Sequence, residues 1–116
     1  MVVEDQAPLR TAICAVLNSQ GYKTYEAENG KAALNLLSKL NYKVDLIITD
    51  VIMPEMGGQE LAQRLVSLGH KIKLLYLSGF TGDVLVDHDS KDTPPQFLEK
   101  PFNNKSLVGK IRAMLS

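Results

Sequence analysis

Residues 44–50 constrain this chain more than any other segment. The run Leu46-Ile47-Ile48-Thr49 is apolar at consecutive positions and ends on Asp50. Side chains of a strand alternate between its two faces, so a strand apolar at every position must be covered on both sides. That condition is met in the interior of a parallel sheet, where crossover helices cover both faces. Residues 72–78 give a second buried strand of this kind, ending on Ser78.

The other segments supply what such a sheet needs. Residues 1–4 read as a short first strand. Pro8 suits the first turn of a helix, whose face carries Leu9, Ile13, Val16 and Leu17 and which Gly21 ends. Residues 23–27 alternate in polarity, as an edge strand does. Asn29 can cap the next helix, with Ala33, Leu36, Leu37 and Leu40 on its apolar face. After a Pro/Gly loop, Leu61, Leu65 and Leu68 mark a third helix. Residues 82–95 make a poor helix, with a short helical stretch at 83–88 followed by loop. Residues 96–99 form a last strand. Asn103 or Asn104 caps a final helix bearing Leu107, Val108, Ile111, Met114 and Leu115.

This alternation predicts an α/β fold, a (βα)5 doubly wound parallel sheet of five strands with right-handed crossovers. The order 2-1-3-4-5 is taken from known sheets of this flavodoxin-like kind, not from the residues themselves. It sets strands one and three side by side at a topological switch point, with all strand C-terminal ends on one edge. Glu4-Asp5, Asp50, Ser78 and Lys100-Pro101 each stand where a strand stops.

Three carboxylates in one crevice repel unless protonated or bridged by a cation. Oxygen-only ligands select a hard ion such as Mg²⁺. Asp50 is placed to act as a nucleophile toward phosphorus, with Lys100 as a neutralising point charge and Ser78 as a hydroxyl donor. The blander alternatives stay open at this point. Glu4 or Asp5 can cap the first helix, Ser78 can belong to a turn with Gly79, and Lys100 can be a solvated lysine. Phe97 reads equally as plain core or as an aromatic that moves inward when Ser78 is drawn to a phosphoryl group. His70 and His88 lack partner ligands and read as surface residues. Met53 and Met56 read as loop packing.

Thirteen basic against thirteen acidic residues leave no net charge. No helix carries the basic stripe of a nucleic-acid binder. The lone Cys14 excludes an intrachain disulfide and reads as a small buried thiol. No apolar stretch approaches the ~20 residues of a membrane span. The expectation is one cytoplasmic domain over residues 1–116 that makes no membrane contact itself, although a parent protein can be membrane-anchored.

Glu4-Asp5, Asp50 with Met53-Pro54 and Gly57-Gly58, Ser78-Gly79, and Lys100-Pro101-Phe102 together resemble the response-regulator receiver domain, over essentially the whole chain. The resemblance implies that Asp50 accepts a phosphoryl group from a phosphohistidine on a histidine kinase or histidine phosphotransfer domain. It implies Mg²⁺ held directly by Asp5 and Asp50, by Glu4 through water and by the Ile52 backbone carbonyl. Ser78 and Phe97 would be the switch residues and Lys100 the phosphate-contacting lysine. Such a domain promotes its own phosphorylation and dephosphorylation.

The chain departs from the family pattern in three places. Only three residues precede Glu4, so the first strand looks clipped, as in a piece of a longer protein. Ile52 and Phe80, two residues after Asp50 and Ser78, are both apolar. In this family those positions border the acyl phosphate, so the phosphoryl group is expected to be long-lived. Residues 82–95 weaken the signalling face expected of the fourth and fifth strands and helices.

The stretches Leu77-Ser78-Gly79-Phe80 and Phe97-Leu98-Glu99-Lys100-Pro101-Phe102 look like receivers of hybrid sensor histidine kinases. A stand-alone single-domain regulator is the alternative. A phosphohydrolase of the haloacid-dehalogenase type is a further one, but it needs an acid two residues after the nucleophile, where this chain has Ile52.

Overall fold

The computed structural model describes residues 1–50, 56–78, 96–99 and 102–115, with Ser78 described through its backbone alone. Five parallel strands lie in the order β2-β1-β3-β4-β5. They are β1 (Val2–Val3), β2 (Glu26–Ala27), β3 (Leu46–Asp50), β4 (Lys73–Ser78) and β5 (Gln96–Glu99). The described helices are α1 (Ala7–Ser19), α2 (Gly30–Lys39), α3 (Gly58–Ser67) and α4 (Asn104–Leu115). The segment expected to hold a further helix, residues 82–95, lies outside the described residues.

The alternation in β3 divides the interior in two. Leu46 and Ile48 pack with Val2, Leu75 and Leu77 against Ile13, Cys14 and Leu17 of α1 and Leu107 and Ile111 of α4. Ile47 joins Val3 and Ala27 on the other side, against Ala33 and Leu37 of α2 and Leu61 and Leu65 of α3. Every residue of β3 is buried, which is the two-sided cover that its composition requires.

Local signals account for the helix ends. Pro8 stands in the first turn of α1. The Asn29 side chain accepts from the Ala32 amide at 2.8 Å. Asn103, rather than Asn104, caps α4, its Oδ1 accepting from Ser106 N at 2.7 Å. Gly21 follows α1 at φ 90°, a conformation that costs a glycine little.

Three expectations need correction. The first two strands are shorter than residues 1–4 and 23–27. Even so, Ile48 N donates to Met1 O at 2.8 Å and Glu4 N to Ala27 O at 3.0 Å, so ladder bonding reaches beyond β1. Leu68 is not on the buried face of α3 but is 55% exposed. The helix ends at Ser67, and a left-handed Gly69 (φ 81°) turns the chain back, His70 N bonding to Leu65 O at 2.9 Å. His70 is half-buried, stacked on Tyr42 with ring centroids 3.8 Å apart. Tyr42 and Asn41 both adopt positive φ after α2.

Candidate functional site

The register of the sheet builds the site. Val3 pairs with Thr49 across the central β1–β3 ladder, so the next residue on each strand is an acid, Glu4 and Asp50. Asp5 follows as the chain leaves the sheet. One carboxylate oxygen from each of Glu4, Asp5 and Asp50 lies within 4.8 Å of the others. Glu4 is fully buried and Asp50 is 6% exposed, whereas Asp5 is exposed.

This crowding has an electrostatic consequence. Burial pushes the Glu4 carboxyl above its ordinary pKa, and the neighbouring Asp50 adds to the shift. Hydrogen bonding with the Asp5 side chain and with the Gln6 backbone works in the opposite direction; Gln6 N donates to Glu4 Oε2 at 3.2 Å. Two buried acids on adjacent strands are stabilised by a shared proton or by a cation. An all-oxygen donor set with an accessible third carboxylate fits a small hard divalent ion.

The walls are closely fitted. The α3 helix begins at Gly58, and a β-carbon there would overlap the Asp50 carbonyl oxygen and meet Thr49 Cγ2 at 3.0 Å. Thr49 is buried and its hydroxyl donates to Asp50 O at 3.0 Å. On the next strand Tyr76 pairs with Thr49 and, on its other side, with Phe97. The Tyr76 and Phe97 rings stack at 5.3 Å, and burial pushes the Tyr76 phenol up to about 12. Gly30 at the start of α2 donates to Met56 O at 3.0 Å, and a β-carbon on it would meet Met56 Cγ at 2.6 Å.

The structure thus brings together Glu4, Asp5 and Asp50. Asp50 pairs with Leu77, so the backbone of Ser78, the next residue on β4, is at the same edge of the sheet. Phe97 is half-buried on β5, packed against the cluster of Tyr76 and Ala62. Lys100 and Ile52 lie outside the described residues, as do Phe80 and His88. Sequence reasoning missed Tyr76, Thr49 and Arg10 as part of the surroundings. The Arg10 guanidinium donates to the Glu4 carbonyl and to Glu26. A tyrosine inside the apolar run of β4 was a readable signal for Tyr76; the bonds of Arg10 had none.

Comparison with known proteins agrees with this fold. The sensor kinase CckA of Brucella abortus is 35% identical over 115 residues, which cover 99% of this chain and 12% of the kinase. The response regulator receiver protein CpdR of the same organism is 30% identical, over 99% of this chain and 94% of CpdR. The chain therefore spans a small part of the first relative and nearly all of the second. A crystal structure of the receiver domain from the hybrid histidine kinase CckA superposes with a TM-score of 0.81 at 27% identity, covering 99% of this chain and 96% of that one. Residues 1–112 match the response regulator receiver domain throughout, and the chain belongs to that family.

Proposed function

We propose that Asp50 accepts a phosphoryl group from a phosphohistidine, and that the chain serves as the receiver of a hybrid sensor histidine kinase. The observation that carries the acceptor role is the convergence of Glu4, Asp5 and Asp50 at the end of two adjacent strands. Receiver domains work with histidine kinases or phosphotransfer proteins, which supplies the donor class. The hybrid context rests on the likeness to the CckA kinase. The match to CpdR, nearly all of which the chain spans, favours a stand-alone regulator as the second reading. Membership of the family displaces the phosphohydrolase reading.

An oxygen of Asp50 forms a bond to phosphorus as the phosphorus–nitrogen bond of the phosphohistidine breaks. The imidazole nitrogen leaves with the electron pair and takes up a proton. Mg²⁺, held by Asp5, Asp50, Glu4 through water and the Ile52 carbonyl, would supply the charge neutralisation this transfer needs. Burial keeps Asp50 away from bulk water. Lys100 would hold a phosphoryl oxygen by charge, and the Ser78 hydroxyl would donate to another. Phe97 would turn inward as Ser78 is drawn to the phosphoryl group.

The test is incubation with acetyl phosphate or a phosphorylated kinase plus Mg²⁺, followed by intact-protein mass spectrometry. Wild type should gain one phosphoryl group and Asp50→Asn none. An unmodified wild type, or equal modification of Asp50→Asn, rejects the proposal.

A further inference from the structure

The exposed member of the acidic cluster poses a question of placement. Glu4 and Asp50 are held by burial, whereas Asp5 is exposed, so the backbone that carries it has a larger part in its placement. The peptide joining Glu4 to Asp5 is gripped on the side of its carbonyl by Arg10. Nη1 of Arg10 donates to Glu4 O at 2.6 Å, while Nε donates to Glu26 Oε1 at 3.3 Å. Glu4 N is already bonded to Ala27 O on β2. The loop closes further through Gln6, whose amide donates to the Glu4 carboxylate and whose carbonyl accepts from Arg10 N at 3.0 Å.

We propose that Arg10 is a positioning residue for the acid pair: its guanidinium ties the Glu4–Asp5 peptide to β2 and thereby aims Asp5 at Asp50. The proposal rests on the reading that these three carboxylates bind a divalent cation. The side chain of Arg10 is only 19% exposed, against 51% for Glu26, so the grip on the carbonyl is the sheltered half of the bridge. A planar fork meets a carbonyl and a carboxylate at once, whereas a lysine offers one compact charge. Lysine at this position should keep the carbonyl bond and lose the bridge. The bonds of Arg10 go to the Glu4 carbonyl and to Glu26, so it acts through the peptide it holds.

The experiment is titration of the phosphate-free protein with Mg²⁺ alone, by calorimetry and by the amide NMR shifts of Asp5 and Asp50. Arg10→Ala should weaken Mg²⁺ binding by about tenfold, the scale on which outer partners of metal ligands act. Arg10→Lys should recover part of that loss, and Glu26→Ala should show a smaller one. With acetyl phosphate, Arg10→Ala should raise the Mg²⁺ concentration giving half-maximal phosphorylation and leave the rate at saturating Mg²⁺ near that of wild type. A smaller folded fraction would instead lower the maximal rate. Arg112→Ala, which breaks a surface bond to Gln20 between α1 and α4, controls for general loosening and should leave Mg²⁺ affinity unchanged. Wild-type affinity in both Arg10→Ala and Glu26→Ala overturns the inference and leaves the cation site standing. Wild type that binds no Mg²⁺ overturns both.

Discussion

Gly58 seats the first turn of α3 against the carbonyl oxygen of Asp50, with no space between them for a side chain. The neighbours on the far side are Thr49 and a ring carbon of Tyr76, both part of the sheet. Gly58→Ala must therefore push α3 off the end of β3 or move Asp50. Overpacking of this kind costs about 1–3 kcal/mol. Chemical denaturation should show that loss, and acetyl phosphate labelling should show slower modification of Asp50. Unchanged stability with full labelling would mean that the helix start yields freely.

At the opposite flank, Asn29→Ala removes the cap bond to Ala32 and should destabilise the fold by about 1 kcal/mol. Its neighbour Gly30 has a different role. Gly30→Ala drives a methyl group into Met56 and should disturb the approach to the acidic cluster as well as lower stability. Denaturation midpoints combined with Mg²⁺ titration separate the two: Asn29→Ala shifts the first alone, Gly30→Ala shifts both.

The raised pKa of Glu4 makes stability depend on pH in a defined direction. Its folded-state value lies above the unfolded one, chiefly through burial and then through Asp50. The folded state therefore holds a proton that the unfolded chain has released, and stability falls as pH rises from the ordinary carboxylate value through the raised one. Glu4→Gln is neutral throughout. In chelator, its melting temperature relative to wild type should increase as pH is raised from about 4 to 7. Mg²⁺ should shrink that difference by stabilising the ionised wild type. A relative melting temperature that falls as pH rises in chelator would contradict the assignment.

Ile52 and Phe80 carry the prediction about persistence. In the receiver family these two positions border the acyl phosphate, and bulky apolar side chains there would exclude or misorient attacking water, so phosphorylated Asp50 should decay far more slowly than in seconds. Ile52→Asn together with Phe80→Ala should shorten the lifetime. A wild-type lifetime of seconds, followed by intact mass after donor removal, would count against the idea.

Much of this was legible because it is local. The two-sided burial of β3 follows from four adjacent apolar or β-branched residues, and the caps at Asn29 and Gly21 are short-range chemistry. The juxtaposition of Glu4, Asp5 and Asp50 needed the strand order, which came through a resemblance and not from periodicity. What escaped was either competition at element ends or side-chain reach. Leu68 has the spacing of a core residue but follows the last helical turn. Tyr42 takes a left-handed conformation that its residue type disfavours, beside the ring of His70. Arg10 bridges groups far apart in sequence, and no pattern of polarity records that.

The partition of the interior by β3 carries a consequence for how this domain can change over time. Leu46 and Ile48 serve one compartment and Ile47 the other, while the same strand delivers Asp50 to its end. Inserting or deleting one residue within that strand would exchange the two compartments' side chains and displace the acid by one position. The address of Asp50 and the assignment of both cores are thus a single coordinate. Variation can redecorate the helices and the rim, but Asp50 cannot migrate along its strand without rebuilding the whole interior.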